Sequence, residues 1–161
     1  MSTALFIGRF QPFHNAHLKD IKKILATHKK LIIGIGSSNK KNTEKNPFSC
    51  NERNSMIQKV LKNNKISNYE IYPVPDFYDD VKWMKYIAAN LPEFDIAYSG
   101  NNWTLQCFKK HKLNTKKISL FKGINSTIIR QNISQGKKWE NLVPKEIFNF
   151  INQPKYKNRI K

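Results

Sequence analysis

Apolar positions along the chain fall into two alternating patterns. Short continuous runs, Ala4 to Ile7, Leu31 to Ile35, Tyr69 to Val74 and Phe94 to Tyr98, have the length of strands buried on both faces. Pro73 weakens the third run, because proline cannot donate to a strand ladder. Between the runs, apolar residues recur at helical spacing: Leu18, Ile21, Ile24 and Leu25; then Met56, Ile57, Val60 and Leu61; then Trp83, Met84 and Ile87. Trp103, Leu105, Cys107 and Phe108 continue as a further helix ending near His111. Lys117 to Leu120 is read as a fifth strand, and Pro144 suits the first turn of a last helix. Strands and helices in alternation predict an α/β fold on a parallel sheet.

The chemistry lies in the segments just after the strands. The first run ends in Gly8-Arg9-Phe10-Gln11-Pro12-Phe13-His14-Asn15-Ala16-His17, which reads as strand, tight turn and helix start. A glycine lets the backbone turn close to a ligand, and a helix start offers N–H groups to an anion. His14 and His17, three apart, can both face that anion. Two isolated histidines are more often surface or capping residues, and a zinc pair would want cysteine or acidic partners, which this stretch lacks. Phosphate is the better fit. Gly36-Ser37-Ser38 and Ser99-Gly100-Asn101-Asn102 come after the second and fourth runs, at the strand ends where open parallel sheets bind ligands.

Two arginines stand where helices favour acids. Ser49 and Glu52 have capping-box spacing, and Arg53 comes next in the same first turn. Asn125, Ser126 and Thr127 make a second helix start, with Arg130 just behind them. A cation in a first turn argues for an anionic partner.

Length and composition add limits. A chain of 161 residues predicts one domain over residues 1–152 and a frayed basic tail over 153–161. No apolar run approaches the roughly 20 residues that span a bilayer, and the first residues lack a signal-peptide pattern. Cys50 and Cys107 form no CxxC pair, which suits a reducing cytoplasm. The net charge of +18 would suit a nucleic-acid partner. Only four of the 29 basic residues are arginines, however, and Arg9, Arg53 and Arg130 all fall in the stretches above. The lysines are scattered. Small polyanionic substrates therefore explain the arginines as well as nucleic acid does.

The motifs carry a resemblance. Gly8-Arg9-Phe10-x-Pro12-x-His14-x-x-His17 resembles the (H/T)xGH signature of the adenylyltransferase superfamily, in the extended form of the archaeal-type nicotinamide-mononucleotide adenylyltransferases. Ala16 replaces the family's glycine. Asn46 to Arg53 is similar to the family's NPFxxxER segment, with Asn51 where glycine is usual. Asn125 to Arg130 resembles the (S/G)-(S/G)-T-x-(I/V)-R motif, with Asn125-Ser126-Thr127 for the usual Ser-Gly-Thr. Asp76 and Trp83 match a Pro-Asp and the tryptophan seven residues on.

The resemblance runs from Ala4 to about Ile151 and implies a Rossmann-like open parallel sheet of about five strands with helices on both faces. It also implies joining ATP to nicotinamide mononucleotide (NMN), with NAD and pyrophosphate as products. ATP would meet Gly8, Arg9, Phe10, His14, His17, Asn125, Ser126, Thr127 and Arg130, with His14, His17 and Arg130 catalytic. NMN would meet Gly36, Ser37, Arg53, Asp76, Trp83 and Asn101, Trp83 lying under the nicotinamide ring. Read from the residues alone, Trp83 is an ordinary core residue. Mg²⁺ would arrive on ATP, with no metal site of the protein's own. A homo-oligomer in the cytoplasm, with no membrane and no nucleic-acid partner, completes the expectation. Two alternatives stay open: transfer to flavin mononucleotide or phosphopantetheine, and a basic nucleic-acid-binding module, although no helix-turn-helix, zinc-finger or RNP signature is present.

Overall fold

Each apolar run becomes a strand because it is too short for a helix and pairs with at least one other such run. In the computed structural model, which describes residues 2–118 and 121–161, the strands are β1 (Thr3–Gly8), β2 (Lys30–Gly36), β3 (Tyr69–Val74), β4 (Ile96–Ser99) and β5 (Thr115–Lys117). They form one sheet in the order β3-β2-β1-β4-β5, and every pairing is parallel. The helices are α1 (Asn15–Leu25), α2 (Cys50–Asn63), α3 (Asp80–Asn90), α4 (Asn102–Lys110), α5 (Ser126–Ser134), α6 (Lys145–Ile151) and α7 (Pro154–Lys157). The α/β architecture is the one expected. Pro73 is tolerated because β3 is an edge strand.

Two expectations are corrected. Of the fifth strand placed at Lys117 to Leu120, Ser119 and Leu120 lie outside the described residues, and the strand observed is Thr115–Lys117. Its side chains are partly or fully exposed, so no apolar pattern marks it. The tail is ordered rather than frayed: residues 154–157 are helical, and Arg159 pairs with Glu52 at 2.8 Å.

The chain divides into two compact units, each built from separate stretches. One comprises Met1–Arg9, Asp20–Asn39 and Asn68–Ser119; the other comprises Phe10–Lys19, Lys40–Ser67 and Leu120–Lys161. The first holds the sheet. Leu5, Ile7, Ile32, Val74 and Ala97 pack with Trp83, Met84 and Ile87 of α3 and with Cys107 and Phe108 of α4. Ala4, Phe6, Leu31 and Ile33, of opposite parity, are also fully buried, as both faces of a parallel sheet should be. Gly34 is fixed by this packing, since a Cβ there would lie 2.9 Å from Ile7 Cγ1.

Asp20 is out of keeping with its surroundings. It is buried, and its Oδ2 has no hydrogen-bond partner. Burial pushes its carboxyl up to about 6, with the Lys23 ammonium pulling partly back. A raised carboxyl pKa penalises the fold above the folded value and not below the unfolded one. Asp20→Asn is therefore expected to stabilise the protein by about 1–3 kcal/mol near pH 8, with the gain vanishing below about pH 4. Denaturant melts at both values check this. An equal gain at both would trace the effect to packing.

The second unit rests on α2. Met56, Ile57, Val60 and Leu61 form its buried stripe. Both halves of the capping box are made, with Ser49 Oγ accepting from Glu52 N–H and Glu52 Oε2 accepting from Ser49 N–H. Phe150 stacks on Tyr156 at 4.2 Å between ring centres, and both lie near Phe48.

Candidate active site

Three of the expected motifs meet in the second unit. The first segment turns at Phe10, whose positive φ of 53° redirects the chain after the first strand. Phe10 and Phe13 are buried, and both rings touch His17, with centroid distances of 4.7 and 5.4 Å. α1 starts at Asn15, three residues before its apolar periodicity, so His14 sits just ahead of the helix and His17 in its first turn.

The two imidazoles stack, 3.5 Å between centres and 14° from parallel. Each backbone N–H donates to the other residue's ring: His14 N–H to His17 Nδ1 at 3.2 Å, and His17 N–H to His14 Nδ1 at 3.3 Å. An accepting Nδ1 carries no proton, so each neutral ring holds its proton on Nε2. Burial keeps them neutral. It pushes His14 down to about 4, and it drives His17 well below the usual histidine value, with the charge of His14 adding to the effect. The pair is thus a set of neutral donors rather than two cations.

The last motif is hung on the backbone of the first. Arg130 is buried; its Nη1 donates to the Gln11 carbonyl at 2.7 Å, and its Nη2 lies 3.5 Å from Thr127 Oγ1. Ser126 Oγ donates to the Pro12 carbonyl at 2.9 Å. Asn125 caps α5, its Oδ1 accepting from Ile128 N–H. The Asn46–Arg53 segment is tied in by Gln11, whose amide exchanges two hydrogen bonds with the Phe48 backbone, at 2.8 and 3.0 Å. Arg53 is fully buried, and its Nε donates to the Ser49 carbonyl. No pattern in the sequence singles out Gln11. A fully buried amide is legible only once its partner, 37 residues away, is known.

The remaining expected residues belong to the first unit; Trp83 lies within α3, and the others lie at or just beyond strand ends. Gly8 ends β1, and exposed Arg9 comes directly after it. Gly36 ends β2, and Ser37 takes a positive φ of 48°. Asn39 binds the backbone of Asp76 in both directions, its Oδ1 accepting at 3.0 Å and its Nδ2 donating at 3.3 Å. Asn101 caps α4 through Thr104 N–H. Trp83 is only 3% exposed, edge to face with Trp103 and Phe108. It has the surroundings of an ordinary core residue, the reading its sequence position alone favoured.

Comparison with known proteins gives one family. A cytidylyltransferase-like family model matches residues 5–132. A nicotinamide-nucleotide adenylyltransferase of Thermococcus kodakarensis is 34% identical over 161 residues, covering 98% of this chain and 86% of the relative. The protein of the same name from Methanococcus aeolicus is 39% identical over 160 residues, covering 98% and 92%. Among solved structures, a bifunctional NMN adenylyltransferase/ADP ribose pyrophosphatase from Francisella tularensis, complexed with AMP and a manganese ion, superposes with a TM-score of 0.82 at 27% identity. The match covers 99% of this chain and 52% of that one, so the chain spans about half of that protein. With its motifs in register along nearly its whole length, the chain belongs to the cytidylyltransferase-like family and, within it, to the nicotinamide-nucleotide adenylyltransferases.

Proposed function

We propose that the chain transfers the adenylyl group of ATP to the phosphate of NMN by in-line attack, with no covalent intermediate. One observation supports the mechanism: Arg130 and Ser126 are bonded to the Gln11 and Pro12 carbonyls, just ahead of His14 and His17, whose rings are fixed by each other's backbone as neutral hydrogen-bond donors. An oxygen of the NMN phosphate forms a bond to the α-phosphorus of ATP. The bond from that phosphorus to the bridging oxygen breaks, and pyrophosphate leaves with the electron pair. A phosphate monoester is already a competent nucleophile, so positioning and charge stabilisation suffice.

The site residues divide by chemistry. His14 and His17 donate from Nε2 to phosphate oxygens, His17 at the α-phosphoryl group, and Thr127 and Arg130 hold the β and γ groups. Gly8, Arg9, Phe10, Asn125 and Ser126 shape the rest of the ATP site. Gly36, Ser37, Asp76 and Asn101 receive NMN, Arg53 neutralises its phosphate, and Trp83 backs the ring site from the core. Magnesium enters as the ATP complex and counts as part of the substrate. A homo-oligomer working in the cytoplasm belongs to the same proposal.

Arg130→Lys keeps the charge but loses the planar fork that reaches Gln11 and a phosphate together. Turnover should fall and the KM for ATP rise, kcat/KM dropping roughly 10- to 100-fold for a charged hydrogen bond lost. Unchanged kinetics would confine Arg130 to a structural part. The acceptor is tested by pyrophosphate release from ATP-Mg with NMN, flavin mononucleotide and phosphopantetheine in parallel. Only NMN should support turnover; release with another acceptor and none with NMN would overturn the reading.

A further inference from the structure

Asp20 has no part in the adenylyl transfer, yet it is 4% exposed and its buried Oδ2 has no hydrogen-bond partner. It lines a cavity of about 160 Å³ together with Lys23 and Ile24 of α1, Tyr98 of β4 and Lys116 of β5. Every lining residue belongs to the first unit, and none is a residue assigned above to ATP or NMN. The space has room for several waters or one small anion.

Two periodicities build its walls. Asp20, Lys23, Ile24 and Thr27, three and four apart, share one face of α1. Lys116 is the register partner of Tyr98, so both side chains leave the same face of the sheet. Lys117, of opposite parity, donates to Asn102 of α4 at 3.0 Å. His28 fixes the phenol, with Nε2 2.9 Å from the Tyr98 hydroxyl and Nδ1 2.6 Å from Ser2 Oγ. In the tautomer protonated at Nε2, the imidazole donates to the phenol oxygen and leaves the phenol proton for a ligand. Burial pushes the phenol up, so it keeps that proton.

These groups make two demands on an occupant. The exposed ammonium groups of Lys23 and Lys116 and the phenol favour an anion. Oδ2, ionised above about pH 6, accepts a hydrogen bond and repels an oxyanion that has no proton to give. Hydrogen phosphate meets both demands, because it carries negative oxygens and an O–H; sulfate, without a proton at neutral pH, fails the second. Asp20 also weakens the empty fold, since Asp20→Asn is expected to stabilise it. A ligand that donates to Oδ2 offsets that cost.

We propose that this cavity is a binding site for inorganic phosphate, held with its O–H donating to Asp20 Oδ2 and its ionised oxygens accepting from Lys23, Lys116 and Tyr98. The test is calorimetric titration of the whole chain with phosphate and with sulfate at equal ionic strength and about pH 8, where Asp20 is ionised. The parent, Asp20→Asn and Lys116→Met are compared, with thermal unfolding to confirm each fold. The parent should bind phosphate roughly tenfold or more tighter than sulfate, the cost of a charged hydrogen bond lost. In Asp20→Asn, whose amide can donate as well as accept, the two anions should bind within about twofold of each other. Lys116→Met should weaken phosphate binding while the preference over sulfate persists. Equal binding of the two anions by the parent overturns the proposal, as does no binding of phosphate, which would leave the cavity to water. Phosphate binding that neither substitution alters places the anion elsewhere and overturns it too.

Discussion

His17→Ala is expected to lower turnover about 10²- to 10³-fold while the affinity for ATP changes far less, the range seen when one donor to a developing oxyanion is lost. The geometry gives the reason. His17 is held by Phe10 and Phe13, stacks on His14, and keeps its proton on Nε2 because Nδ1 accepts from the His14 backbone. Such a donor needs no reorganisation during the reaction. Because the ring is buried and stays neutral, it stabilises charge by hydrogen bonding, and Arg130 supplies the positive charge. Removing the ring also leaves the His14 N–H without this acceptor, so thermal unfolding must accompany the kinetics. A variant that folds and turns over within a factor of two of the parent removes His17 from the mechanism.

Trp83→Ala should act chiefly on stability. The side chain is buried in the cluster with Leu5, Ile7, Met84 and Phe108, and truncating such a residue costs about 3–5 kcal/mol in transfer and cavity terms. In a chain of 161 residues that corresponds to a drop in melting temperature of roughly 6–20 °C. Both substrates should suffer together as the fold loosens. An unchanged melting temperature with a raised KM for NMN alone would instead place Trp83 directly under the nicotinamide ring, as the family resemblance implied.

The strands were legible because a parallel sheet buried on both faces demands apolar runs, and Leu31 to Ile35 is nearly pure. Ser49 and Glu52 announced their helix by spacing alone, and the reciprocal bonds are present. Local signals fail where the partner is distant. Nothing near Arg159 foretells its pairing with Glu52, 107 residues earlier, and the charge of the segment suggested a loose end. The reciprocal clasp of Gln11 on Phe48 was hidden for the same reason. Thr115–Lys117, partly or fully exposed, carries no apolar pattern, because an edge strand can be held by its backbone alone. The motif places Trp83 by position and residue type, and its 3% exposure in the core cluster is legible only in the fold.

Direct transfer requires a site that positions and stabilises the reactants without joining the reaction covalently. The most direct measurement is the configuration at phosphorus in NAD made from NMN and ATP carrying a chiral α-phosphorothioate. One in-line displacement predicts complete inversion. Retention would require two displacements, with an enzyme group such as His17 bonded to the nucleotide between them, and would contradict direct transfer.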